Sequence, residues 1–366
     1  MVTHLPLSLS PAVAGGSQPS PFVVAGPCSA ESREQVLETA EGLAATGRVQ
    51  LLRAGLWKPR TKPQSFEGKG AEALPWLVEA KARTGLPIST EVATPAHVEE
   101  CLAAGVDVLW IGARTTVSPF AVQDIAEALR GTRIPVMVKN PMHADLKLWI
   151  GAVERVQATT GGEVMAIHRG FSRYGLKEYR NAPMWEIPIG FRSEKPEVPL
   201  ICDPSHIAGR RNLLEQVAQK ALDLGMRGLM LEVHPTPDQA WSDAEQQITP
   251  AALDALLRRL IVREETLDAD RTSGLTAMRL QMDSLDEQWV ELLGARMDLA
   301  RKMGDFKKQN GLTVLQLERW REVFATRSQW AADRGLGEEF ILSVLEQIHN
   351  ESIRVQTEGM RPSPLD

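Results

Sequence analysis

Cysteine is scarce: only Cys28, Cys101 and Cys202 occur in 366 residues. Three scattered thiols make no disulfide framework, and a reducing cytoplasm is the expected setting. Long apolar runs are missing as well. No stretch approaches the roughly 20 residues of a membrane-spanning helix, so no membrane attachment is expected. Residues 1–21 lack the charged flank and long apolar core of a signal peptide. Rich in Pro, Ser and Gly, they read as a flexible arm. Positive charge is not in excess either: the formal net charge of −6 argues against a nucleic-acid partner. The hydrophobic fraction, 43%, is ordinary for a globular protein. The length suits two domains, or one large barrel with an addition.

What is present first is a rhythm of short β-branched apolar runs. They fall at residues 22–25, 49–52, 87–90, 108–111, 135–138, 164–167, 199–201 and 228–231. Each is continuously apolar rather than alternating, as expected for parallel strands covered on both faces. Amphipathic helical segments such as 31–46 and 119–129 separate them. Eight β-α units over residues 22–262 give an α/β fold, a (β/α)₈ TIM barrel. An open doubly wound sheet is the competing fold, disfavoured by the count of eight and the lack of a Gly-rich dinucleotide turn.

Polar residues follow every run: Gly26-Pro27-Cys28, Arg53, Glu91, Arg114, Lys139-Asn140, His168-Arg169, Asp203-Pro204-Ser205-His206 and Glu232-Val233-His234. The strand C-termini of a parallel barrel open on one face, so these residues are expected to converge on one mouth. A thiolate (Cys28), an imidazole and two carboxylates (Glu232, Asp243) make a mixed donor set suited to one divalent transition metal of the Mn, Fe, Co or Zn class. His206, His168 and His234 compete as the imidazole. Cys202 sits within a run and reads as a buried strand residue. The cations Arg53, Lys58, Arg60, Arg114, Lys139, Arg169 and Arg210 would repel one another at one mouth unless anions bind there. Phosphates and carboxylates are the natural occupants. Taken singly, each cation is as readily explained by an ion pair.

The motifs Gly26-Pro27-Cys28-Ser29, Lys58-Pro59-Arg60-Thr61, Gly112-Ala113-Arg114-Thr115-Thr116, Lys139-Asn140, His168-Arg169-Gly170, Asp203-Pro204-Ser205-His206, Glu232-Val233-His234-Pro235 and Ser242-Asp243 stand in one order. In that order they resemble the 3-deoxy-D-arabino-heptulosonate 7-phosphate (DAHP) synthases, type Iβ. That branch includes the 3-deoxy-manno-octulosonate 8-phosphate synthases, which usually carry a different, Asn-containing loop at the Lys58-Pro59-Arg60-Thr61 position. The resemblance implies metal ligands Cys28, His206, Glu232 and Asp243. It implies phosphoenolpyruvate held by Arg53, Lys58, Arg114, Lys139 and Arg169. Erythrose 4-phosphate would be met by Pro59, Arg60, Thr61, Asp203 and Ser205, with Arg60 on its phosphate. Lys58, Lys139 and His168 are the candidate proton carriers.

Beyond residue 262 the strand signal ends. Residues 263–274 read as a linker. From Leu275, apolar residues at steps of three and four (Met278, Met282, Leu285, Trp289, Leu292) mark a long amphipathic helix. Asn310-Gly311 breaks it, a second helix is expected over about 314–333, and a third over 338–358; residues 359–366 read as a disordered tail. Residues 275–358 resemble the all-helical chorismate mutases without a gap. The resemblance implies chorismate contacts at Arg279, Arg296, Lys307, Gln316, Arg319, Ser352 and Gln356. Arg296, Lys307 and Gln356 would be catalytic, and no cofactor is needed. Arg296 and Lys307 are 11 residues apart, within about 20° on a helix. Arg279 lies about 25 Å from Arg296 along the axis, too far to reach the same site in one chain; the resemblance implies that it serves the partner's site in a homodimer. Where the family often has an acidic pair at the substrate hydroxyl, this chain has Gln316 and Trp320. The alternative reading of this domain is a binding module that senses prephenate or chorismate, inhibits the barrel and holds the dimer together; the two readings are compatible.

Overall fold

The computed structural model describes residues 20–58, 66–263 and 269–360; for 269–273, 277, 359 and 360 it describes the backbone alone. Two compact units divide between residues 265 and 266. In the first, eight strands form a closed, all-parallel barrel in sequence order. They are β1 (Phe22–Gly26), β2 (Leu51–Arg53), β3 (Ile88–Val92), β4 (Val108–Ile111), β5 (Val136–Lys139), β6 (Val164–His168), β7 (Leu200–Cys202) and β8 (Gly228–Glu232).

The alternation of strand side chains builds the barrel in two layers. Phe22, Val24, Leu51, Val108, Trp110, Met137, Met165, Ile167, Ile201 and Met230 fill the inside. Their strand neighbours, such as Val23, Leu52, Leu109, Val138 and Leu229, pack outward against the helices. The same parity carries on past the apolar residues. Arg53, Lys139 and Glu232 lie two positions beyond Leu51, Met137 and Met230. Arg169 and Asp203 lie two beyond Ile167 and Ile201. All therefore turn inward at the mouth. Closure sets the rest: Gly26 pairs with Glu232 in the β1–β8 register, which brings Cys28 beside β8. Gly26 adopts φ +152, and a Cβ there would lie 2.0 Å from the Arg53 carbonyl oxygen. Only glycine lets β1 and β2 meet this closely.

His168 breaks the expectation that it joins the mouth. It sits between the inward positions 167 and 169, so its ring leaves the barrel on the helix side. There it packs with ring centroids 5.3 Å from Trp185, 5.7 Å from Phe171 and 6.4 Å from Trp149. As a proton carrier it is corrected: its ring lies among Trp149, Phe171 and Trp185, on the side of the sheet opposite to Arg169. Burial pushes its pKa down from 6.5 to about 3. The unfolded chain takes up the proton near pH 6.5 and the folded chain does not, so stability present above pH 6.5 is lost as the pH falls toward 3. Urea unfolding followed by tryptophan fluorescence at pH 7 and pH 4 is expected to show an acid loss on the order of 3 kcal/mol from this residue. His168→Phe should remove that part of the pH dependence.

The second unit has three helices, Ala269–Gln309, Leu317–Ala332 and Glu338–Met360. The first starts six residues before the apolar seam at Leu275. The long helix packs on the third closely enough that a Cβ on Gly304 would lie 2.9 Å from Gln356 Cα. Met278, Met282, Leu285, Trp289 and Leu292 are more than half exposed along it.

Candidate active sites

Each group at the barrel mouth is placed by local structure. Pro204–Ala208 is a short helix with Asp203 as its N-cap: Asp203 Oδ1 accepts from the His206 backbone N–H at 3.0 Å, and Pro204 opens the first turn. Asp203 Oδ2 accepts from Lys139 Nζ at 2.7 Å and lies 2.8 Å from His206 Nδ1, off the line of a well-aligned hydrogen bond. A carboxylate beside Nδ1 orients the imidazole and leaves Nε2 for a ligand. That Nε2 is 3.8 Å from Glu232 Oε1. Burial and the Lys139 charge hold His206 below its ordinary pKa despite Asp203, so it is neutral at pH 7.

Cys28 Sγ and carboxylate oxygens of Glu232 and Asp243 all lie within 4.8 Å of one another. Cys28 donates to Asp243 Oδ2 at 3.4 Å. Glu232 Oε2 accepts from Gln246 Nε2 at 2.6 Å, while Oε1 is buried with no hydrogen-bond partner among the described residues. Burial, then the neighbouring carboxylate of Glu232, pushes the Cys28 thiol up to about 12. Burial acts against ionisation of Asp243 too, but the charges of Arg180 and Lys58 outweigh it and hold that carboxyl below its usual range. Asp243 sits at φ +52, a left-handed conformation that costs energy unless the surroundings enforce it. Arg180 Nη1 at 3.1 Å does so from one side. A soft thiolate, an imidazole and two carboxylates around an orphaned oxygen fit one divalent transition metal. His206 would hold it from the helix after β7, Cys28 from the turn after β1, and Glu232 and Asp243 from β8 and its loop.

The cations surround this cluster. Arg53, 1% exposed, lies 3.3 Å from Glu232 Oε1, donates to the Cys28 carbonyl at 3.2 Å and sits 4.9 Å over the Trp110 ring. Its Nε and Nη1 are buried with no partner among the described residues. A buried guanidinium with idle donors calls for an anion. Lys58, Glu91, Arg114, Arg169, His206 and Asp243 line a cavity of about 200 Å³. Ser205 is buried beneath it, its Oγ accepting from the Glu232 N–H at 2.9 Å. Arg210 instead binds the Glu178 and Lys177 carbonyls. Pro59, Arg60 and Thr61 fall outside the described residues.

In the helical unit, Arg296, Lys307, Ser352 and Gln356 come together. Arg296 Nη1 donates to Ser352 Oγ, and Lys307 Nζ donates to Gln356 Oε1 at 2.9 Å and to the Val314 carbonyl at 2.7 Å. Gln316 caps the second helix without a side-chain bond. Arg319 is exposed and paired with Glu322 at 2.6 Å. Arg279 is exposed near the far end of the long helix.

Residues 4–268 match the model of the DAHP synthetase I family, nearly three quarters of the chain. The chain belongs to that family. Its helical unit is a chorismate mutase domain, residues 278–357 matching the chorismate mutase type II model. A phospho-2-dehydro-3-deoxyheptonate aldolase of Thermotoga maritima is 32% identical over 248 residues, 68% of this chain and 70% of that protein. A 2-dehydro-3-deoxyphosphooctonate aldolase of Nitrobacter hamburgensis is 32% identical over 282 residues, covering 70% of this chain and 93% of that one. The crystal structure of the T. maritima DAHP synthase superposes with TM-score 0.58 at 29% identity, over 65% of this chain and 67% of that chain.

Four side chains of this DAHP synthetase I barrel escaped the sequence reading. Asn181 accepts from Arg169 Nη1 at 2.7 Å and donates to the His206 carbonyl at 2.6 Å. Gln247 accepts from the Cys28 N–H at 3.1 Å. Arg180 and Gln246 brace Asp243 and Glu232 and bond each other at 2.6 Å. None lies at a strand end, and no spacing marks them.

Proposed function

We propose that the barrel condenses phosphoenolpyruvate with erythrose 4-phosphate to DAHP and phosphate, in a metal-dependent reaction. The observation that carries this is the buried Arg53, with two idle donors, beside the Cys28–Glu232–Asp243 cluster. A metal held there with His206 would supply Lewis-acid polarisation of the aldehyde oxygen. The chain's own residues do the rest. Arg53, Lys58, Arg114, Lys139 and Arg169 bind the phosphate and carboxylate of phosphoenolpyruvate and offset repulsion between two anionic substrates. C3 of phosphoenolpyruvate attacks the aldehyde carbon, water adds at C2, and phosphate leaves with C–O cleavage. Lys139, salt-bridged to the buried Asp203, would hand a proton to the new hydroxyl; Lys58 is the other candidate. Pro59, Arg60, Thr61, Asp203 and Ser205 receive the aldose phosphate.

The helical domain rearranges chorismate to prephenate without a cofactor. Lys307 and Gln356 meet the ether oxygen and Arg296 a carboxylate. A homodimer supplies Arg279 from the partner's long helix and covers the exposed apolar seam. Prephenate or chorismate bound there would feed back on the barrel. No described helix is long and apolar enough to cross a membrane.

Phosphoenolpyruvate consumption is the test. It should require erythrose 4-phosphate, stop on chelation and return with a divalent transition metal, and prephenate should slow it. Turnover with arabinose 5-phosphate instead would assign the barrel to the octulosonate branch.

A further inference from the structure

The mutase substrate presents four polar features: two carboxylates, an ether oxygen and one ring hydroxyl. Cations and amide donors serve the first three, and the hydroxyl proton needs an acceptor. Among the described residues no carboxylate is evident for it. Glu322 is exposed and held by Arg319, and Glu318 is exposed at the first turn of its helix. Trp320, on the second helix, has only a donor. Its ring, however, lies against His349 of the third helix, with centroids 3.4 Å apart and planes at 46°.

His349 precedes Ser352 by three residues and Gln356 by seven, which puts it within about 60° and 20° of them on the helix. It thus shares the face that bonds Arg296 and Lys307. Two turns, about 10 Å, separate it from Gln356. The ring is half-buried. Burial, then the positive charges of Arg296 and Lys307, lower its pKa, so the imidazole is uncharged near neutrality and keeps one nitrogen lone pair. The Trp320 ring fixes its plane.

We propose that His349, clamped by Trp320, accepts the hydrogen bond of the substrate's ring hydroxyl and so sets the mutase's specificity for a hydroxylated substrate. This rests on the mutase reading of the helical domain. It assigns to an imidazole a recognition task for which no carboxylate is placed among the described residues.

The experiment uses the full chain with chorismate and with the analogue lacking the ring hydroxyl. Wild type, His349→Leu and His349→Gln are compared at equal helix content by circular dichroism. His349→Leu is expected to raise KM for chorismate about tenfold, leave the analogue's kinetics unchanged and so erase the preference between them. His349→Gln, which keeps an acceptor, should restore most of it. If His349→Leu slows both substrates alike, or Gln fails to rescue, the ring only packs against Trp320 and the proposal is overturned. If the wild type turns over no chorismate, the mutase reading itself fails and takes this proposal with it.

Discussion

Replacing Cys28 with Ala is expected to lower DAHP formation by roughly 10³-fold or more, since metal polarisation of an oxygen is worth several kcal/mol. Chorismate turnover should be unchanged, because the two sites share no residue. The barrel should stay folded: Cys28 lies beyond the β1–β8 pairing, and the Gln247 bond goes to its backbone N–H. Metal binding should fall in parallel with activity. A Cys28→Ala enzyme that kept both full activity and full metal content would remove the thiol from the site. Glu232→Gln should cost the barrel more broadly, because it also strips the counter-charge from the fully buried Arg53.

Lys307→Ala is expected to lower mutase kcat/KM by roughly 10²–10³-fold, the usual cost of removing one placed donor from a developing negative oxygen. DAHP synthesis should persist. The effect has a pH signature in the wild type. Burial lowers the Lys307 pKa, so the ammonium is lost at lower pH than the 10.5 of a free lysine. Mutase activity should decline along that alkaline limb. An Ala variant with near-normal kcat/KM would show that the pair with Gln356 is structural only.

Much of the barrel was legible because its signal is local. Eight apolar runs map onto eight strands, with ends displaced by at most two residues where neighbours extend or shorten the pairing. Glu91, for example, is drawn into β3 opposite Trp110, to which its carboxylate bonds at 3.2 Å. The strand-end residues were legible through the same periodicity, which turns Arg53, Lys139 and Glu232 inward. Parity also explains the failure at His168. Being next to Arg169 in the chain placed it on the opposite face of the sheet, a distinction that motif adjacency hides. Arg180, Asn181, Gln246 and Gln247 were out of reach for another reason. They lie in the long loops after β6 and β8, and their roles arise from contacts between segments 12 to 219 residues apart. In the helical unit, spacing was enough to unite Arg296 with Lys307 and Ser352 with Gln356. The same rule would have found His349, had Trp320 been read as its partner.

Titration of the metal-free protein with Co²⁺ tests the central claim most directly. The account predicts one equivalent bound per chain, with a near-ultraviolet thiolate-to-metal band that disappears in Cys28→Ala and a binding constant weakened in His206→Ala. A protein that binds no Co²⁺, or whose band survives the loss of Cys28, would contradict it.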